Sequence, residues 1–182
     1  MDILTKGVAH VLISAEEINE RVAALGAEIS RDYEGLSPLL VCVLKGGYVF
    51  LADLTRALSI RHEVDFMAIS SYANATESSG VVRILKDLER DITGRHILIV
   101  EDIIDTGHTL SYLLENLGVR NPASIKICTL LSKTARREMS MKADYIGFDI
   151  GDGFVVGYGL DFAENYRNLP YIAVLKPEVY GT

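Results

Sequence analysis

The 182-residue sequence predicts an α/β protein with a mostly parallel sheet flanked by helices. Three observations carry this. The runs at 39–44 (LLVCVL), 97–100 (ILIV) and 124–131 (SIKICTLL) are largely apolar without alternation, the pattern of strands covered on both faces. Helical stripes stand between them: Leu110, Leu113, Leu114 and Leu117 recur at i, i+3, i+4 and i+7. Small polar and acidic residues collect where strands hand over to helices, the edge at which open α/β sheets bind ligands.

The elements follow in order. Ser14-Ala15-Glu16-Glu17 is a capping box opening a helix to about Arg31, with Ile18, Val22, Leu25 and Ile29 along one face. Leu36-Ser37-Pro38 turns the chain into the strand at 39–44. Lys45-Gly46-Gly47 then leads into a helix from Tyr48. Paired glycines here suit either a tight turn needing positive φ or close approach of an anion to backbone N–H groups, with the lysine adding a point charge. Residues 61–69 are strand-like, 70–80 are small and polar and read as a long loop of lid length, and 81–85 return as a strand. A turn at 91–95 feeds the central strand, and Thr109 sits where an N-cap hydroxyl belongs on the helix that follows. Gly118 and Asn121-Pro122 stop that helix. Lys133 stands at the carboxyl end of the next strand, where a lysine either snorkels to water or faces a ligand. Short strands at 145–150 and 154–159 surround the turn Gly151-Asp152-Gly153, and the strand at 172–175 is ended by Lys176-Pro177.

Composition narrows the function classes. A chain this long buries about 70% of its extended surface without staples, and Cys42 and Cys128 lie inside apolar runs as free, small hydrophobes of a reducing compartment. No apolar run approaches the ~20 residues of a membrane span, and the N-terminal residues lack the layout of a signal peptide. A soluble cytoplasmic protein with no membrane partner is expected. The net charge of −7 argues against a nucleic-acid platform.

The stretch at 97–117 carries the chemistry. A short loop of hydroxyl residues with one glycine, entering a helix, aims backbone N–H groups and the positive end of the helix dipole at one place, which favours a phosphate. Glu101, Asp102 and Asp105 beside it suit sugar hydroxyls or a divalent cation. A sugar phosphate with Mg2+ is the reading. Neither G-x-G-x-x-G nor the Walker pattern is present.

VEDIIDTGHTL, residues 100–110, resembles the signature of the type I phosphoribosyltransferases, in the version carried by hypoxanthine-guanine members. Leu44-Lys45-Gly46-Gly47 matches that family's pyrophosphate loop, whose members hold the bond before the lysine in the cis form. Ser71-Tyr72 matches the Ser-Tyr pair of its mobile lid, and 154–167 (FVVGYGLDFAENYR) matches its purine-binding end in register. The resemblance implies one phosphoribosyltransferase domain over 1–182: a core of about 15–148, a hood from about 1–14 and 149–182, and a lid of about 70–85. It implies transfer of 5-phosphoribosyl from phosphoribosyl pyrophosphate to N9 of hypoxanthine or guanine. Thr106, Gly107, His108 and Thr109 would cradle the 5-phosphate, while Glu101 and Asp102 would hold ribose hydroxyls and Mg2+. Asp105 would exchange a proton with purine N7. Lys45, Gly46, Arg167, Ser71 and Tyr72 would serve the pyrophosphate. Lys133 would donate to the purine C6 oxygen, Phe154 would stack on the base, Val155 would offer backbone groups, and Asp161 would hold a second metal beside the purine. The resemblance also implies a homodimer or homotetramer. A relative on this fold is an RNA-binding regulator of pyrimidine genes; the acidic charge and the signature from Lys133 to Phe154 weigh against it.

Overall fold

The computed structural model describes residues 6–74, 77–139 and 141–181, with the side chains of 71–82 outside that description. The chain forms β1 (Val8–Ile13), α1 (Ala15–Asp32), β2 (Leu39–Leu44), α2 (Tyr48–Ala57), β3 (Glu63–Asn74), β4 (Glu77–Lys86) and β5 (His96–Ile104). It continues through α3 (His108–Gly118), β6 (Ser124–Ser132), a 3-10 turn (Thr134–Arg136), β7 (Tyr145–Asp149), β8 (Val155–Val156), β9 (Ile172–Leu175) and α4 (Pro177–Tyr180). The large sheet runs β4-β3-β2-β5-β6-β7 and is parallel except for β3 against β4. A small antiparallel sheet, β1-β9-β8, joins the two ends of the chain as a hood.

The absence of alternation has a direct cause in packing. Leu40, Cys42, Leu98 and Val100 point into one buried cluster with α1 and α2. Leu39, Val41, Val43, Ile97 and Ile99 point into a second, shared with α3. Successive side chains of a strand face opposite ways, so a strand covered on both sides must be apolar throughout. The capping box of α1 forms as expected, with the Ser14 hydroxyl accepting from Glu17 N–H at 3.2 Å and the Glu17 carboxylate accepting from Ser14 N–H at 2.8 Å. Both cysteines are buried and free.

Three expectations change. The polar segment expected as a loop at 70–80 is largely ladder, since β3 and β4 pair to Asn74 and Glu77; backbone hydrogen bonding needs no apolar side chain. The strand expected at 154–159 shrinks to Val155–Val156, because Gly157, Tyr158 and Gly159 have φ of 101°, 50° and 102° and leave the extended region. The N-cap of α3 is Gly107 rather than Thr109: its φ of 94° turns the chain so that the helix begins at His108. No side chain caps that helix, so its first N–H groups remain available.

The topology locates the cleft. From β2 the chain steps outward to β3, and from β5 it steps the other way to β6 and β7. The order reverses between β2 and β5, and a crevice opens outside the carboxyl ends of such a pair. Those ends are Leu44-Lys45 and Ile104-Asp105.

Candidate active site

Beyond the last registered pair of β2 and β5, Cys42 with Val100, the central strand continues into Glu101 and Asp102. Alternation sends the two carboxylates into different pockets. Glu101 lines one of about 120 Å3 with Asp105, Thr106, Gly107, His108 and Thr109. Asp102 lines another of about 480 Å3 with Lys45, Gly46, Asp161, Glu164 and Arg167. The first is an uncapped helix N-terminus, suited to one phosphate. The second holds two cations and two further carboxylates.

Glu101 is buried at 8% exposure. Burial pushes its carboxyl well above the usual range, and the neighbouring Asp102 charge adds to this. Burial likewise raises Asp102 to about 6, against the hydrogen bond its Oδ1 accepts from Ile103 N–H at 2.8 Å. Such a pair is set up to receive a cation or hydroxyl donors. Among the described residues no group of three or more metal-ligating side chains converges. Glu101 and Asp102 would supply the one or two carboxylates that Mg2+ commonly takes before substrate phosphates and water complete its shell.

The glycines after Lys45 are there for proximity. Neither Gly46 nor Gly47 has positive φ, whereas a Cβ on Gly46 would lie 1.6 Å from Asp102 Oδ2. The Leu44-Lys45 bond is cis. The hood presses on the same loop: a Cβ on Gly159 would meet Gly46 O at 2.2 Å.

Lys133 does not snorkel. It is 6% exposed, its N–H donates to Ile104 O at 2.9 Å, and its Nζ stands 3.7 Å from Asp105 Oδ2. Arg136 Nη1 donates to the same oxygen at 3.2 Å, and its Nε lies 3.7 Å from Asp152 Oδ1, tying the turn before Phe154 to Asp105. Asp105 Oδ1 is buried without a hydrogen-bond partner, as is Arg167 Nε. A buried polar atom left unpaired costs about 1–3 kcal/mol, so both atoms are strong hydrogen-bonding points. The remaining Arg167 nitrogens are engaged: Nη1 donates to Gly159 O at 2.8 Å, and Nη2 faces Asp161 at 2.8 Å and Glu164 at 3.3 Å.

Lys45, Asp105 and Lys133 thus follow the carboxyl ends of the neighbouring strands β2, β5 and β6, and Arg167 joins Lys45 in the larger pocket. His108 is exposed at the start of α3, its Nε2 2.6 Å from Glu138 Oε2. Val155 is buried in the hood with its strand paired to β9. Phe154 is stacked on Tyr180 at 4.9 Å between ring centroids and meets Phe162 edge to face. The side chains of Ser71 and Tyr72 lie outside the described residues. Sequence reasoning missed Arg136, Glu138, Glu164 and Tyr180. The paired arginines after Lys133 were a signal for the first; the others have none, because each is an ordinary surface residue until the fold brings it to the rim.

A sequence model of the phosphoribosyl transferase domain matches residues 14–163. The hypoxanthine-guanine phosphoribosyltransferase of Bacillus subtilis (strain 168) is 56% identical over 173 residues, 95% of this chain and 96% of the relative. That of Mycobacterium tuberculosis (strain ATCC 25618 / H37Rv) is 52% identical over 179 residues, 95% of this chain and 89% of the relative. A crystal structure of a hypoxanthine phosphoribosyltransferase from Staphylococcus aureus superposes with a TM-score of 0.95 at 44% identity, covering 100% of this chain and 98% of that one.

Proposed function

The chain belongs to the phosphoribosyltransferase family, and we infer that it works there as a hypoxanthine-guanine phosphoribosyltransferase of purine salvage. It moves the 5-phosphoribosyl group from phosphoribosyl pyrophosphate to N9 of hypoxanthine or guanine, forming IMP or GMP and releasing pyrophosphate. The C1–O bond to pyrophosphate breaks, and a C1–N9 bond forms. Positive charge develops on the ribose ring while the leaving group becomes more anionic, so the site must stabilise both.

The residues divide that work. The open N–H groups at Thr106, Gly107, His108 and Thr109 hold the 5-phosphate at the positive end of α3. Glu101 and Asp102 accept from ribose hydroxyls, and the Asp102 carboxylate, ionised above about pH 6, counters the positive charge of the ring. Lys45, the Gly46 backbone and Arg167 grip the pyrophosphate, with the Ser71-Tyr72 pair of the lid over it. Lys133 donates to the C6 oxygen of the base, Phe154 offers a face for stacking, and Val155 contributes backbone groups at the purine edge. Asp105, with Oδ2 facing Lys133 and Arg136 and Oδ1 left without a hydrogen-bond partner, takes the proton at N7. Mg2+ belongs to the same reading: Glu101 and Asp102 would hold one ion with the substrate, and Asp161 a second. Bound there, it supplies charge neutralisation to the leaving oxygens.

The observation that carries the reading is Asp105, with Oδ1 unpaired and Oδ2 3.7 Å from the buried Lys133 Nζ, a proton acceptor and a C6-oxygen donor side by side. Turnover of phosphoribosyl pyrophosphate with hypoxanthine, guanine, xanthine, adenine and uracil, with and without Mg2+, tests it. Hypoxanthine and guanine should react and adenine should not, since Lys133 has nothing to donate to at an amino group; efficient turnover of adenine or uracil would contradict the assignment. The reading extends to one domain with a core of about 15–148, a hood of about 1–14 and 149–182 and a lid of about 70–85, in a cytoplasmic homodimer or homotetramer. The two free buried cysteines support a reducing compartment, and among the described residues no helix is long and apolar enough to cross a membrane. Exposed Val11, Leu12 and Tyr48 offer apolar surface for self-association, which sedimentation equilibrium would measure.

A further inference from the structure

The two cations given to pyrophosphate already share a partner inside the chain. Glu164 Oε1 lies 2.9 Å from Lys45 Nζ, and Glu164 Oε2 lies 3.3 Å from Arg167 Nη2. One carboxylate thus spans both cations from within the pocket that Lys45, Gly46, Asp102 and Asp161 line.

Its backbone is held for that task. Ala163, Glu164 and Tyr166 have φ of 50°, 62° and 77°, the left-handed region that non-glycine residues seldom adopt. Asp161 Oδ2 accepts the Glu164 N–H at 2.8 Å, and Phe162 and Asn165 exchange backbone hydrogen bonds at 3.2 and 3.0 Å. Unfavourable backbone of this kind persists where the surroundings over-determine it, and it gathers at ligand clamps. Hydrogen bonds from Lys45 and Arg167 hold the Glu164 carboxyl below its usual range, so it is an anion at neutral pH.

We propose that Glu164 is a built-in stand-in for pyrophosphate: an anion that occupies Lys45 and Arg167 until the diphosphate enters, is displaced by it, and re-engages as it leaves. This rests on the pyrophosphate role given to Lys45 and Arg167 above. An anion competing for the same cations weakens pyrophosphate binding and so favours product release. A glutamate on an ordinary exposed loop would have neither effect.

The test is Glu164→Gln, which keeps size and backbone preference but removes the charge, titrated calorimetrically with inorganic pyrophosphate in Mg2+ and again in EDTA. Two exposed ion pairs are lost and one negative charge no longer faces the polyanion, so affinity should rise about threefold to tenfold in both buffers. The KM for phosphoribosyl pyrophosphate should fall by a similar factor while the KM for hypoxanthine stays put. Glu164→Asp, charged but too short to span both cations, should fall between. Unchanged affinity overturns the inference. So does weaker affinity, and weakening confined to Mg2+ would make Glu164 a metal ligand instead. Should the wild type bind no pyrophosphate in either buffer, the site reading itself fails and takes the inference with it. Should the wild type bind while Glu164→Gln leaves the affinity unmoved, only the inference fails. A thermal melt of each variant excludes misfolding.

Discussion

Asp102→Asn should make the protein more stable and less active, and the gain should depend on pH. The carboxylate is packed against Gly46, where a Cβ would sit 1.6 Å from Oδ2, and beside buried Glu101. Burial raises its carboxyl from 3.8 to about 6. The folded state therefore binds more protons than the unfolded state between about pH 4 and 6, so this group's contribution is fully present below pH 4 and is lost as pH rises through about 6. At pH 7.5 the ionised group costs on the order of 3 kcal/mol relative to a neutral one. An asparagine oxygen can keep the bond from Ile103 N–H without the charge. In metal-free buffer at pH 7.5 the variant should gain up to about 3 kcal/mol, or roughly 6–12 °C in Tm for a chain of this size. At pH 4 the difference should vanish, because the wild-type carboxyl is then protonated. Urea denaturation of both proteins at pH 4, 5, 6 and 7.5 measures this directly. A variant less stable at pH 7.5, or a difference flat across the series, would refute the argument.

Further outcomes follow from the same geometry. Asp105→Asn should lower kcat by about 10²-fold or more, the scale of a lost general base, whereas His108→Ala, which loses only an exposed pair with Glu138, should stay within about threefold; steady-state rates with hypoxanthine decide between them. Lys133→Gln should cut kcat/KM for hypoxanthine by about 10- to 100-fold, the worth of one charge-assisted hydrogen bond, and competition assays should show weaker preference for oxo over amino purines. Gly159→Ala should cost about 1–3 kcal/mol, because φ is 102° and the new Cβ meets Gly46 O at 2.2 Å; chemical denaturation reads the loss, and a raised KM for phosphoribosyl pyrophosphate should accompany it. Removing Mg2+ with EDTA should abolish turnover and adding it back should restore it, as a coupled pyrophosphate-release assay would report.

Much of the architecture can be read directly from residue order. A strand covered on both faces has no polar alternate positions, so 39–44, 97–100 and 124–131 declare themselves, and Ser14 with Glu17 announces α1 because capping is settled within four residues. The acids and hydroxyl residues at 101–109 are likewise local, a motif compressed into one strand-to-helix junction. Where the reading failed, the deciding contact came from far along the chain or from a single backbone angle. Thr109 lost the N-cap to Gly107 through one φ value. The close approach at Gly46 depended on Asp102, and the burial of Lys133 depended on Asp105 and the strands around it. Glu164 reaches Lys45 across 119 positions. Residue order alone is enough to mark the strands, the helices and one junction rich in acids and hydroxyls, because burial and capping act over a few residues. Which side chains meet depends on the folded arrangement, because strand order and register bring distant junctions together, and no local pattern encodes that distance.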